Sequence, residues 1–183
     1  MPDKREWKKR ALFNPCYIGA ERRKSRNWVF ILFGSVVLTV FIQNNVISGG
    51  IIVDKSMYPT LKEGEYYLIN KYIYHFARPK RGDIVVLFPW KYASEEYVKR
   101  VIGLEGETLL IRNGAVYING QAVSEPYAIG KTGPDMDPFE IPKGKYFVMG
   151  DNRANSMDSR AFGAVEIGNI EGKIKPGEIF PLR

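Results

Sequence analysis

Ser56 stands in the stretch VDKSMYPTL, Val53 to Leu61, with a charge before it and Pro-Thr shortly after it. Such a turn-like setting exposes a side chain while holding its backbone still. A serine attacks a carbonyl only when a base takes its proton. The chain has one histidine, His75, placed among aromatics in YIYHFARPK, where a histidine is more often a packed or surface residue. Lysine is the other candidate base, and it serves only if burial pulls its pKa down from about 10.4 toward the working pH. Lys55 is adjacent to Ser56, but successive side chains on an extended chain point to opposite faces, which makes it a poor partner. Lys99 lies in YVKRVIGL, flanked by Val98, Val101 and Ile102. An isolated lysine in so apolar a strand is costly unless neutral or paired, and a catalytic lysine exploits that cost. A strand-edge lysine with a solvated tip is the competing reading of the same segment.

The elements that must position these residues read as β. The segments 66–72, 83–88, 96–104 and 145–150 are short apolar runs bounded by Gly, Pro and charge, the pattern of strands. Asn113-Gly114 between two apolar runs predicts a hairpin, and Asn119-Gly120 a second turn. Residues 124–143, rich in Pro, Gly and Asp, read as an irregular loop. No helical period of any length follows residue 50.

The 183 residues allow one globular domain and little more. The net charge of +7 is concentrated in residues 1–27, which hold nine Lys and Arg against three acids. The remaining 156 residues hold 18 basic and 17 acidic side chains, so the body is nearly neutral and a nucleic-acid-binding role is disfavoured. A basic tail beside an apolar run reads as membrane topology. Residues 28–47 carry no charge and as a helix span roughly 30 Å, one hydrocarbon core. A buried core helix would show a polar face, and a cleavable leader would have a shorter basic region. The expectation is an uncleaved anchor with the N-terminus in the cytoplasm and residues 48–183 outside it. Cys16 is the only cysteine, so no disulfide forms within the chain and no cysteine metal cluster exists.

Four stretches occur in order behind the apolar run: SMYPTL (56–61), RGDIVVL (81–87), YVKRVIGLEGE (97–107) and GDNRANSMDSRAFG (150–163). Together they resemble the sequence boxes of bacterial type I signal peptidases, membrane-anchored Ser/Lys proteases, and in particular the short Gram-positive-like form with a single N-terminal anchor. The resemblance covers about residues 28–183. It implies a mostly β fold: a transmembrane helix followed by a coiled antiparallel β-sheet catalytic domain, with a short cap at about 108–147. It implies Ser56 as nucleophile and Lys99 as general base. Ser156 would orient the lysine amine, Asp158 and Arg160 would pair near the site, and Arg100 follows the base. Ile52, Met57, Leu61, Tyr97 and Val98 match positions that line shallow pockets for small residues of an Ala-x-Ala site. No cofactor and no metal is implied. The implied partners are signal peptides of exported pre-proteins, the lipid bilayer and the protein export machinery. The implied location is the cell membrane, crossed once.

Two positions depart from the family pattern. Gly or Ser is common two residues before the nucleophile, where this chain has Asp54, and Asp is usual where it has Glu107. A carboxylate at residue 54 cannot donate to an oxyanion and would repel its charge. Asp54 alone favours a second reading, a catalytically silent relative that assists exported proteins. A third, a self-cleaving Ser/Lys repressor, would carry a DNA-binding module, whereas this chain carries an apolar run.

Overall fold

The computed structural model describes residues 27–40 and 47–181. The chain divides into two units, Met1–Asn44 and Asn45–Arg183. The expected basic tail, including Cys16, lies outside the described residues apart from Asn27. In the first unit residues 27–40 form a helix, α1, with every side chain exposed. Its hydroxyls bond back to the preceding turn, Ser35 Oγ to the Leu32 carbonyl and Thr39 Oγ1 to the Ser35 carbonyl, both at 2.8 Å. Among the described residues no helix is long and apolar enough to cross a membrane. Residues 41–46 of the expected anchor lie outside the described residues, and Ile47, its expected last residue, begins strand β1 (Ile47–Ile51).

The second unit is mostly β and antiparallel. After β1 come β2 (Glu65–Asn70), a single helical turn α2 (Ile73–Phe76), β3 (Ile84–Leu87) and β4 (Tyr97–Gly103). Then follow β5 (Thr108–Arg112), β6 (Ala115–Ile118), β7 (Gln121–Ala122), β8 (Met136–Glu140) and β9 (Lys145–Met149). The short helix α3 (Ser159–Phe162), β10 (Val165–Glu166) and β11 (Ile170–Pro181) complete it. A seven-stranded sheet runs β1-β2-β11-β3-β4-β9-β10, and a four-stranded sheet runs β7-β6-β5-β8.

Alternation along β3 explains why the large sheet is covered on both faces. Ile84 and Val86 enter one cluster with Met57, Leu61, Ile69 and Ile174, while Val85 and Leu87 enter another with Val101, Tyr146, Val148 and Ile170. Full burial of each such aliphatic side chain contributes about 1.5–3 kcal/mol, so β3 is a strand that tolerates no charge. A third cluster joins Ile102, Phe147 and Met149 of the large sheet to Leu109, Ile111, Val116 and Ile118 of the small one. The β5–β6 hairpin turns at Asn113 (φ 52°) and Gly114 (φ 77°), and Asn119 (φ 50°) with Gly120 (φ 81°) makes the next turn. Both pairs have the positive φ that tight hairpin turns require.

The sequence reading is corrected in two places. Residues 124–143 contain a strand, β8, paired with β5 (Thr108↔Glu140, Leu109↔Phe139). It is a sheet edge, where Pro138 forfeits little. The C-terminal segment supplies β11, which lies between β2 and β3 and shifts register between Ile174 and Ile179. Lys175-Pro176-Gly177 interrupts its alternation at that shift and hides it from pattern reading.

Candidate active site

Two connections and one strand of the large sheet converge. Ser56 lies between β1 and β2, where Met57 and Leu61, both fully buried, pin the segment into the core. A bond from Leu61 N to the Met57 carbonyl (3.0 Å) closes it into a turn. Lys99 lies within β4 opposite Val85. Residues 150–158 connect β9 to α3 and clamp the serine's backbone. Asn152 N donates to the Ser56 carbonyl at 2.8 Å, and Asn152 Nδ2 to the Lys55 carbonyl at 3.1 Å.

Lys99 has no solvent exposure and Ser56 is 4% exposed. Lys99 Nζ donates to Ser56 Oγ at 2.7 Å and to the Val98 carbonyl at 3.0 Å, and it sits 5.3 Å from the centre of the Tyr97 ring. Burial pushes the amine below the ordinary lysine range, against the opposing pull of Asp54 and Asp158. A lowered pKa makes it easier for the amine to stand neutral, the form that can accept a proton.

Asp54 points into this site. One oxygen, Oδ1, accepts from both Ser56 Oγ (2.8 Å) and Ser56 N (3.0 Å). Lys55 turns the other way, exposed and 3.6 Å from Glu63. A cavity of about 50 Å³ is lined by Ile52, Val53, Asp54, Met57, Glu96 and Val98 among others. Two roomier surface hollows, about 420 and 410 Å³, are lined by residues around Arg81 and Gln121 and by Lys55, Tyr58 and Lys62. The small cavity is the one bordered by both Asp54, which holds the Ser56 hydroxyl, and Met57, which follows Ser56 in the chain.

Residues 25–176 match the sequence model of a family described as signal peptidase, peptidase S26. The chain belongs to that family. It is similar to a signal peptidase I of Bacillus amyloliquefaciens, 38% identical over 84% of this chain and 86% of that one. It is likewise similar to signal peptidase I T of Bacillus subtilis strain 168, 41% identical over 73% of this chain and 74% of the other. A crystallised signal peptidase I from Enterococcus faecalis V583 is 34% identical with a TM-score of 0.48, covering 54% of this chain and 98% of that one.

In this S26 family member the expected site residues divide. Ser56 and Lys99 meet, and Asp158 pairs with Arg160 at 2.7 Å. Burial alone pushes the Asp158 carboxyl up, but bonds from Arg160 and from the Gly150 amide outweigh it and hold the group below the usual range. Ser156 is placed differently from the expectation: its hydroxyl is buried near Asp158, whose charge it favours, yet makes no well-formed hydrogen bond to any group. Lys99 Nζ bonds the Val98 carbonyl and Ser56 Oγ. Of the expected pocket residues, Ile52, Met57 and Val98 line the cavity. Leu61 lies fully buried in the core, and Tyr97 packs edge-on to Phe162. Arg100 forks onto Asp151 (2.8 and 2.6 Å), donates to the Gly82 carbonyl and stacks 4.0 Å from the Tyr127 ring, making no bond to Ser56 or Lys99. His75 stacks on Tyr72, with ring centres 5.0 Å apart. Glu107 takes a bond from Arg81 Nη2 at 2.5 Å.

The signal peptidase fold also uses residues that sequence reasoning passed over. Asp151 and Arg153 sit in the GDNR stretch, and both are buried. Arg153 pairs with Glu125 through two bonds of 2.7 Å. The signal was present: two charges beside a glycine at the end of an apolar strand need partners if that strand is core. Among the described residues no group of three or more His, Cys, Asp or Glu side chains is placed to hold a metal. Gly150 is required by contact. A Cβ there would fall 2.6 Å from the Ser56 carbonyl oxygen and 2.3 Å from Ser156 Oγ. Gly150→Ala is therefore expected to shift the Ser56 turn and lower kcat by about tenfold or more, read by steady-state cleavage of a signal-site peptide. Parent-like kcat in a folded variant would show that the turn absorbs the methyl group.

Proposed function

We propose that this chain is a membrane-anchored serine endopeptidase that removes N-terminal signal peptides from exported pre-proteins. The carrying observation is the 2.7 Å contact between a fully buried lysine amine and a serine hydroxyl. Neutral Lys99 takes the Ser56 proton as Oγ attacks the scissile carbonyl, and the Ser56 N–H holds the oxyanion. Lys99 then returns the proton to the leaving amine, and water, activated by the same amine, frees the acyl group from Ser56. Arg160 supports the site by fixing Asp158, and Arg100 does so by fixing Asp151.

The cavity of about 50 Å³ supports specificity for small side chains next to the cut, as in Ala-x-Ala sites. Its walls, Ile52, Met57 and Val98, belong to a packed turn and a central strand, so they yield little to a larger group. Incubating the purified chain with a pre-protein bearing an Ala-x-Ala site and mapping the new N-terminus tests the reading. Cleavage is expected directly after the second Ala. Replacing that Ala by Leu should lower kcat/KM roughly 10- to 100-fold, since overpacking costs about 1–3 kcal/mol. Equal cutting of both, or a cut elsewhere, overturns the assignment.

An anchor within residues 28–46, Ile47 already belonging to β1, follows from the same reading. The α1 side chains from Trp28 to Val40 include no charge and are apolar on all sides, as a lipid-facing helix must be. With the basic tail inside, the chain crosses the cell membrane once, and residues 48–183 lie outside beside the bilayer and the export machinery. Protease added to intact cells is expected to digest the β unit and spare residues 1–27, and a high-salt wash should leave the protein on the membrane. Release by salt contradicts the anchor.

A further inference from the structure

We propose that Asp54 is a latch on the nucleophile: it holds the Ser56 hydroxyl proton and the Ser56 amide in the resting chain, and substrate filling the adjacent cavity must displace it. The proposal rests on the Ser56/Lys99 reading of the site. A hydroxyl has one proton. Here Ser56 Oγ gives it to Asp54 Oδ1 and accepts from Lys99 Nζ, the reverse of what proton removal by the lysine requires. The same Oδ1 takes the Ser56 N–H, which is the donor an oxyanion on the acylated serine needs. One carboxylate oxygen thus competes with both the base and the oxyanion.

The surroundings leave Asp54 free for that task. Asp158, the other carboxylate that acts on Lys99, is already committed to Arg160 and the Gly150 amide. Lys55 pairs with Glu63 rather than with Asp54. In β4 the groups facing the site are Lys99 and the Tyr97 ring; Glu96, just before β4, and Tyr67 of β2 line the same cavity, and from the β9–α3 connection Asp158 acts on the amine, paired with Arg160 of α3. Asp54 itself forms part of the cavity wall. A side chain entering there meets the carboxylate directly, and binding energy from the rest of a long substrate can drive it out. Once it leaves, the amide is free and Lys99 loses the charge that most favours its ammonium form. Its proton passes to water, and the Ser56 hydroxyl can turn to donate to Nζ.

A latch opened by substrate has a signature that a fixed charge lacks: small acyl donors, which cannot fill the cavity, suffer most. The test uses full-length parent, Asp54→Gly and Asp54→Asn, the last keeping side-chain shape should glycine loosen the turn. Acylation of Ser56 by a small activated ester is followed by mass spectrometry, and kcat/KM for a signal-site peptide is followed against pH. Both variants are expected to lower the pH midpoint by about one unit. Asp54→Gly is expected to acylate about tenfold faster with the ester, with a smaller gain on the peptide. If the parent cuts the peptide and both variants match it in ester rate and pH midpoint, the latch fails and the protease reading stands. Loss of activity in folded Asp54→Asn also overturns the latch, because the reaction then needs the carboxylate. If parent and variants alike never acylate Ser56, the protease reading fails and takes the latch with it.

Discussion

Ser56→Ala and Lys99→Ala are each expected to lower cleavage of a signal-site peptide by about 10⁴-fold or more, the scale on which nucleophile and base act as one unit. Lys99→Arg is expected to be equally inactive, because a guanidinium does not deprotonate in proteins. The domain should survive these changes. Lys99 is wholly buried, and its pKa is lowered from the ordinary 10.5 by that burial. Between the lowered folded value and the unfolded one, the unfolded chain binds more protons, so the parent gains stability as pH rises through that window. Lys99→Met keeps the volume and loses the buried amine. It should therefore melt at or above the parent temperature near neutral pH and lack that slope. His75→Ala, which removes only the stack on Tyr72, should cleave like the parent. Loss of activity in a folded His75→Ala would favour a Ser/His pair instead.

Arg100→Ala is expected to give the largest loss of stability of any substitution near the site. It leaves the Asp151 carboxylate, which has no solvent exposure, without its charged partner and with only the Thr60 hydroxyl as a side-chain donor, and removes the stack on Tyr127. Breaking a buried pair from one side costs about 3–5 kcal/mol, roughly 10–20 °C in Tm for a domain of this size. Arg100→Lys should recover only part of this, since an ammonium cannot reproduce the two-pronged contact at 2.8 and 2.6 Å. Calorimetry of the three proteins decides it. A parent-like Tm for Arg100→Ala together with a collapse of kcat would place Arg100 in the chemistry rather than in the scaffold.

Residue type and local pattern carried the sequence reading far. Lys99 was legible because a lone lysine in an apolar strand demands an explanation, and the Asn113-Gly114 hairpin because its φ values admit few other residues. β8 and β11 were not. One is an edge with a proline, the other is interrupted at a register shift, and each is held by pairing with strands distant in sequence. The Asn152 clamp on Ser56 and the aim of Asp54 were hidden for a related reason. Both depend on the exact course of a turn, which no periodicity records. On an extended chain residues 54 and 56 share one face, so that much of the contact follows from spacing alone. Ser156 shows the limit of a motif: its role comes from the resemblance, and the hydrogen bonds of Lys99 Nζ run to Ser56 Oγ and the Val98 carbonyl.

The proposed chemistry turns on Lys99 being able to stand neutral beside Ser56. Direct titration of its amine, by ¹⁵N NMR of lysine-labelled full-length protein compared with Lys99→Met to assign the signal, measures this without any substrate. The predicted result is a midpoint clearly below about 10.4, the value of a free lysine, as burial requires. A midpoint at or above that value would mean that Asp54 and Asp158 keep the ammonium charged, and Lys99 could not then be the base.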